Sequence, residues 1–314
     1  MPEILALGEP MAEFAATERG RLSNVATFRR GWGGDTSNFI VAAARLGAGA
    51  GYIARLGGDE FGRSFLDLWR QEGVDASHVI VEPDAFTAVY FISLDEDGRH
   101  SFTYYRAGSA ASRLSPADLD AGYLSAARVL HTSGITQAIS GSARETAVEA
   151  MRVARAQGVT VSYDANVRPR LMPLDNLRAT ISDAFERADV VFLSVEDAGH
   201  LYGSLPAGAV VDRVLARGPK AAVLRQGAAG CLVAAADGRR VAVPGWPVEA
   251  VDATGAGDAF NAGFLVQWLG GADPEQAGRF ANAVGALTTR GIGAVAPIPR
   301  RAQVEAFIEG RGRL

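Results

Sequence analysis

The chain has 314 residues, 48% of them hydrophobic and 21% charged, which is enough for one large α/β core or two closely joined domains. Its 31 basic and 35 acidic residues leave a formal charge of −4, which gives neither a global basic field for nucleic acid nor a polybasic tail for a membrane surface. The composition is not that of a disordered chain, and no apolar run nears the roughly 18 residues needed to span a bilayer.

Ile4–Leu7 reads as a buried strand leading straight to Gly8; with no basic segment before an apolar one, a signal peptide is not expected. Apolar spacing turns helical over residues 35–46, with Gly47 as a stop. Residues 51–55 read as a strand, and Glu60–Glu72 as a helix capped by Asp59. Residues 85–94 are β-rich, Asp95-Glu96-Asp97-Gly98 is a turn, and 99–105 returns as the second arm of a hairpin.

Strand and helix then alternate. Strands are expected at 129–131, 159–163, 190–193, 221–224, 231–235 and 239–243. Ser142-Ala143-Arg144-Glu145 has the form of a capping box and predicts a helix to about Gln157. Further helices are expected at 177–187, Val195–Tyr202 and Ala256–Leu269, and another starts at Asp273-Pro274-Glu275-Gln276 with Pro at its first position. This order predicts a three-layer α/β/α, Rossmann-like, mostly parallel sheet covered on both faces. Residues 13–31 and about 85–106 interrupt the alternation with β-like sequence. They predict a small accessory sheet, a lid, within a single domain of residues 1–314. Cys231 stands alone and reads as a small buried residue in a cytoplasmic, reducing setting.

The stretch Val251-Asp252-Ala253-Thr254-Gly255-Ala256-Gly257-Asp258-Ala259-Phe260 carries the most chemistry. A strand-like run, residues 247–251, precedes it, and helical spacing from Phe260 to Leu269 follows. Gly255, Ala256 and Gly257 therefore sit at a helix N-terminus, where unpaired N–H groups and the helix dipole favour an anion. Phosphoryl transfer needs such a hole, and Asp258 beside it can take the proton of an attacking hydroxyl. The glycine spacing is neither the Rossmann nor the Walker pattern.

With its flanks this stretch resembles the signature of the ribokinase (PfkB) family of carbohydrate kinases. Other segments follow in that family's order: Gly33-Gly34-Asp35-Thr36-Ser37-Asn38, Arg55 to Gly62, Asp164-Ala165-Asn166-Val167-Arg168, Ser194-Val195-Glu196-Asp197, and Leu224-Arg225-Gln226-Gly227-Ala228-Ala229-Gly230. The resemblance implies a ribokinase-like fold, ATP and Mg²⁺ as cofactors, and a homo-oligomer formed through the β lid. It makes Asp258 the base and Gly255, Ala256 and Gly257 the anion hole. Asp252 and Thr254 would lie near the substrate or a site for a monovalent cation such as K⁺. Gly34, Asp35 and Asn38 would meet the sugar. Asn166, Ser194, Arg225, Gly227, Gly230 and Asn282 would line the nucleotide, and Asp197 would hold magnesium through water, either alone or with help from Glu196. Two positions depart from the family pattern: Asp197 replaces a Glu, and Arg225 replaces a Lys.

Tyr90, Tyr104, Arg106 and Arg168 bear on the acceptor, because tyrosine hydroxyls bond to sugar hydroxyls and an arginine fork pairs with a carboxylate. Tyr104-Tyr105-Arg106-Ala107-Gly108-Ser109-Ala110 and His131-Thr132-Ser133-Gly134-Ile135-Thr136 resemble the corresponding stretches of kinases acting on 2-keto-3-deoxygluconate. The expected reaction is phosphorylation of that acid's terminal hydroxyl, giving 2-keto-3-deoxy-6-phosphogluconate. The alternatives are a fructokinase or other ketose or pentose kinase, and a non-catalytic sugar- or nucleotide-binding protein. The expected partner is a small sugar acid or sugar, with no nucleic acid and no membrane.

Overall fold

The computed structural model describes residues 1–94 and 100–310, so the Asp95–Gly98 turn and Arg99 lie outside the described residues. In chain order the elements are β1 (Ile4–Leu7), β2 (Met11–Arg19), β3 (Phe28–Gly33), α1 (Asp35–Arg45), β4 (Ala50–Gly57), α2 (Glu60–Glu72), β5 (Val74–Glu82), β6 (Ala88–Leu94) and β7 (His100–Tyr105). There follow α3 (Ala121–Ser125), β8 (Val129–Ser133), α4 (Gly134–Ala138), α5 (Gly141–Ala156), β9 (Thr160–Asp164), α6 (Leu174–Arg187), β10 (Val190–Ser194), α7 (Val195–Tyr202) and α8 (Ala207–Leu215). The chain continues through β11 (Ala221–Arg225), β12 (Gly230–Ala235), β13 (Arg240–Pro244), α9 (Ala256–Leu269), α10 (Pro274–Thr288) and α11 (Arg301–Ile308).

Nine strands form one sheet in the order β13-β12-β11-β10-β9-β8-β1-β4-β5. All neighbours are parallel except β11–β12 and β12–β13. Both faces are covered, which is why β1 is an unbroken apolar run. Its side chains alternate between the two cores. Ile4 and Ala6 pack with Phe39, Trp69 and Phe264, whereas Leu5 and Leu7 pack with Met151, Phe185 and Val211. A second sheet, β3-β2-β6-β7, pairs β2 with β6 in parallel and its outer pairs antiparallel. One of its faces buries Met11, Ala15, Tyr90 and Ile92. Three-layer α/β architecture with a smaller second sheet is thus what the alternation predicted.

Three local expectations fail. The cap of α5 is Ser140, whose Oγ accepts from Ala143 N–H at 3.0 Å, whereas Ser142 Oγ lies 3.3 Å from Ser112 O. Residues 247–251 form no strand; Val251 and Asp252 N–H instead donate to Thr289 O, at 2.7 and 3.0 Å, in the turn after α10. Strand β5 was not anticipated, because it is an edge strand with only one buried residue, Val74, and no clean alternation.

Candidate functional site

Several chemically active side chains stand where strands of the large sheet end. Asp164 closes β9, Ser194 closes β10 and Arg225 closes β11, and in an open parallel sheet those carboxyl ends line the ligand crevice. Between β3 and α1 the chain turns at Gly34, with φ 95°, where a Cβ would strike the Glu9 carbonyl. That turn sets Asp35 as the first residue of α1, with Asn38 one turn on.

Helix α9 approaches from the other side. Its N-cap is Gly255 in the left-handed region, φ 76°, and a Cβ there would stand 2.5 Å from Ala294 O. The first i→i−4 bond of the helix is Ala259 N–H to Gly255 O, 3.0 Å, so the Gly257 and Asp258 N–H groups belong to the open first turn. Asn38 Nδ2 donates to Asp258 Oδ2 at 2.8 Å. Burial raises the Asp258 pKa well above the ordinary carboxylate value; Asp35 and Asp164 add to the rise, while Asn38 and Arg225 oppose it. Asp35 is raised for the same first reason. Asn166 Nδ2 donates to Asp35 Oδ2 at 3.2 Å, and Asn166 holds a positive φ of 34°. Asp35 Oδ1 and Asn38 Oδ1 are buried without a hydrogen-bond partner among the described residues.

Arg225 ties this floor together. It grips Asp164 through two bonds of 2.8 and 3.0 Å and donates to Asn261 Oδ1 at 2.7 Å. Burial works against its charge, but Asp164, Asp197 and Asp258 outweigh it and raise its pKa. Arg225, expected beside the nucleotide, thus neutralises acids beneath the first turn of α9. Asp197 is also committed: its oxygens accept from Ser194 N–H (2.8 Å), Ser194 Oγ (2.7 Å) and Val167 N–H (2.7 Å), forming the capping box of α7. No cluster of three or more His, Cys, Asp or Glu able to hold a metal occurs among the described residues. A magnesium ion carried chiefly by phosphates and water fits that donor set.

The acceptor candidates line up near the second sheet. Tyr90 is 4% exposed and its hydroxyl donates to Glu13; Tyr104 is 36% exposed and lies 5.9 Å from the Tyr90 ring. Arg106 is not free: its guanidinium pairs with fully buried Glu9, beside Ser109, because a carboxylate at that depth needs a cation. Arg168 is freer, with its side chain 46% exposed and 3.9 Å from Asp197 Oδ1. Arg170 Nη1 donates to Phe102 O at 3.2 Å. Gly227 faces open space, whereas a Cβ at Gly230 would strike Val243 O. Asn282 stands apart from the central network; its Nδ2 donates to Val243 O and Pro244 O, both 3.1 Å. Cys231 is buried, which pushes its thiol up to about 12.

Sequence reasoning gave no role to Glu9, Glu13 or Asn261. Each acts through a partner roughly a hundred or more positions away, for example Asn261 Nδ2 to Asp164 Oδ2 at 2.7 Å. Only Glu9, an acid directly after a buried strand and Gly8, carries a local hint.

An anion-accepting helix end with a carboxylate in its first turn, at the strand ends of a doubly covered parallel sheet, defines a phosphotransferase of small molecules. The chain belongs to the pfkB family of carbohydrate kinases, whose family model matches residues 1–301. It is 36% identical to 2-dehydro-3-deoxygluconokinase of Thermoproteus tenax over 309 residues, 96% of this chain and 94% of that one. It is 34% identical to fructokinase-1 of Oryza sativa subsp. japonica over 318 residues, 98% and 97% of the two chains. The solved structure of a ribokinase II from E. coli in complex with ATP and Mg²⁺ superposes with a TM-score of 0.91 at 25% identity, covering 99% of this chain and 100% of that one. No helix among the described residues is long and apolar enough to cross a membrane.

Proposed function

We propose that this kinase phosphorylates 2-keto-3-deoxygluconate at its terminal hydroxyl, with ATP as donor. The observation that carries this reading is the arginine group around Tyr104. The Arg106 guanidinium stands 5.6 Å over the Tyr104 ring, and burial raises the Tyr104 hydroxyl while the charges of Arg168, Arg106 and Arg170 lower it. A neutral sugar gives no reason for three guanidinium groups at the acceptor end, whereas a carboxylate does. With Arg106 held by Glu9, the half-exposed Arg168, which gives one N–H to Val167 O, is the arginine that would take the acid.

The acceptor hydroxyl attacks the γ-phosphorus, its O–P bond forms as the bond to ADP breaks, and its proton passes to Asp258. The N–H groups of the first turn of α9 stabilise the equatorial oxygens. Asp35 Oδ1 and Asn38 Oδ1 are placed to accept from acceptor hydroxyls. Magnesium, when bound with the nucleotide, neutralises charge on the β- and γ-phosphates. In this reading the small sheet is a lid over the acceptor, and the whole chain acts as one catalytic domain. The face of the small sheet opposite Tyr90 sets Phe91 against Phe14, Phe28 and Tyr105; Phe14 also meets Phe61 of α2, but Tyr105 is 59% exposed, which supports association of two chains through the uncovered part. A single buried cysteine fits a cytoplasmic protein.

A ketose such as fructose is the second reading, supported by the plant fructokinase relative and by the neutralisation of Arg106 by Glu9. A coupled assay of kcat/KM on 2-keto-3-deoxygluconate, fructose and ribose decides. The keto-deoxy acid should lead fructose by at least about tenfold, the least that one well-placed charged contact contributes. Equal efficiency on fructose rejects the acid.

A further inference from the structure

Glu13 belongs to the small sheet, yet its carboxylate is 2% exposed and joins two parts of the molecule. From β6, the Tyr90 hydroxyl donates to Oε2. From the segment that follows α10, Ala294 N–H donates to the same oxygen at 3.2 Å. Two glycines lie against Oε1: a Cβ at Gly31 would stand 2.7 Å away and one at Gly293 2.8 Å away. Two separate strands of backbone thus leave room for this one carboxyl.

The segment it grips leads directly to the transfer site. Gly293 N–H donates to Asp252 Oδ2 at 2.9 Å, and the Ala294 carbonyl packs against Gly255, the N-cap of α9. Arg45 Nη1 fixes the far end through Val295 O and Ile298 O, at 2.7 and 2.8 Å. One residue, Ala294, therefore turns its N–H to Glu13 and its carbonyl to the turn that would form the anion hole.

We propose that Glu13 is a positioning residue that registers the small sheet on the phosphoryl-transfer turn, acting through Ala294 on Gly255. The inference rests on the kinase chemistry of the family and not on which acceptor is used. The burial of Glu13 also makes it proton-dependent, against the two donors to Oε2. The groups facing the carboxyl are Tyr90 from β6 and Asp252 from the turn before α9, while β3 and the segment after α10 present only Gly31, Gly293 and the Ala294 N–H. Burial raises its pKa to about 7, with Tyr90 and Ala294 opposing and Asp252 adding. An acid raised in this way holds its proton in the docked arrangement. Docking is undiminished at low pH and weakens as pH rises through about 7.

The test measures kcat and acceptor KM from about pH 6 to about pH 8.5 for wild type, Glu13→Gln and Glu13→Ala, a range that brackets the expected titration. The assay uses whichever acceptor of the panel turns over best. Glu13→Gln should keep kcat within about threefold near pH 6 and lose the decline that wild type shows above about pH 7. Glu13→Ala should lower kcat by about tenfold or more with acceptor KM changed by less than about threefold. The inference is overturned if both variants raise KM with kcat intact, which marks a direct acceptor ligand. It is equally overturned if Glu13→Gln keeps the wild-type pH profile. Should Glu13→Ala fail to fold by circular dichroism, the Glu13→Gln profile decides alone.

Discussion

In the proposed mechanism Asp258 is a base in a setting that discourages its charge. Burial and the neighbouring Asp35 and Asp164 all favour its proton, while the Asn38 amide and Arg225 favour the anion. The sign follows directly. A raised pKa keeps the free enzyme protonated to higher pH, so kcat/KM should climb with pH along an acid limb above the ordinary Asp value of about 4. Replacing Asp35 with Asn removes one raising charge and should move that limb to lower pH; an unmoved limb would show that the two acids are not linked. Asp258→Asn should lose turnover by about 100-fold or more while calorimetry shows ATP still bound, because general-base effects are of that size. Individual acids of this kind were legible in the sequence wherever glycines announced a turn, as at Gly34–Asp35 and Gly257–Asp258. Their partners were not. Nothing local says that Arg106 must serve Glu9, 97 positions away, or that Arg225 must serve Asp164.

Among the elements, β9, β11 and α9 converge on one buried cation. Arg225 leaves β11, clasps the last residue of β9 and meets Asn261 of α9. Removing one member of such a group strands the others. Arg225→Met should therefore cost about 3–5 kcal/mol of unfolding free energy by denaturant titration, with Arg225→Lys losing less. A loss no larger than that of an exposed substitution would mean that Asp164 finds another partner. The repeating elements themselves were readable because each has a firm period or cap: Glu60–Glu72 is bounded by Asp59 and Gly73, and α10 opens on Asp273 with Pro at its first position. Reading failed where periodicity is weak or two signals compete. The edge strand β5 alternates poorly, and Ser140 and Ser142 are both plausible caps of α5, separated only by the tertiary contact of Ser142 with Ser112.

At the scale of the whole molecule, the chain divides transfer from recognition. The proposed anion hole and base sit on α9, beside the ends of the large sheet; the acceptor candidates Tyr90, Tyr104 and Arg106 come from the small one or its edge. If the aromatic outer face of the small sheet joins two chains, Tyr105→Asp should shift the species seen by light scattering from dimer to monomer, since a buried unpaired charge disfavours association. An unchanged mass would place any interface elsewhere.

The contact between Ala294 and Gly255 has a consequence for how such enzymes diversify. Because the proposed anion hole is braced from outside the large sheet's strand ends, through the Ala294 backbone, residues of the acceptor-facing strands other than Tyr90 can change without redesigning the turn proposed to handle phosphate. Grafting β6 and β7 from a relative of different acceptor preference should then transfer preference while sparing the chemistry, provided the graft keeps Tyr90 and the chain keeps Glu13, Gly31 and Gly293.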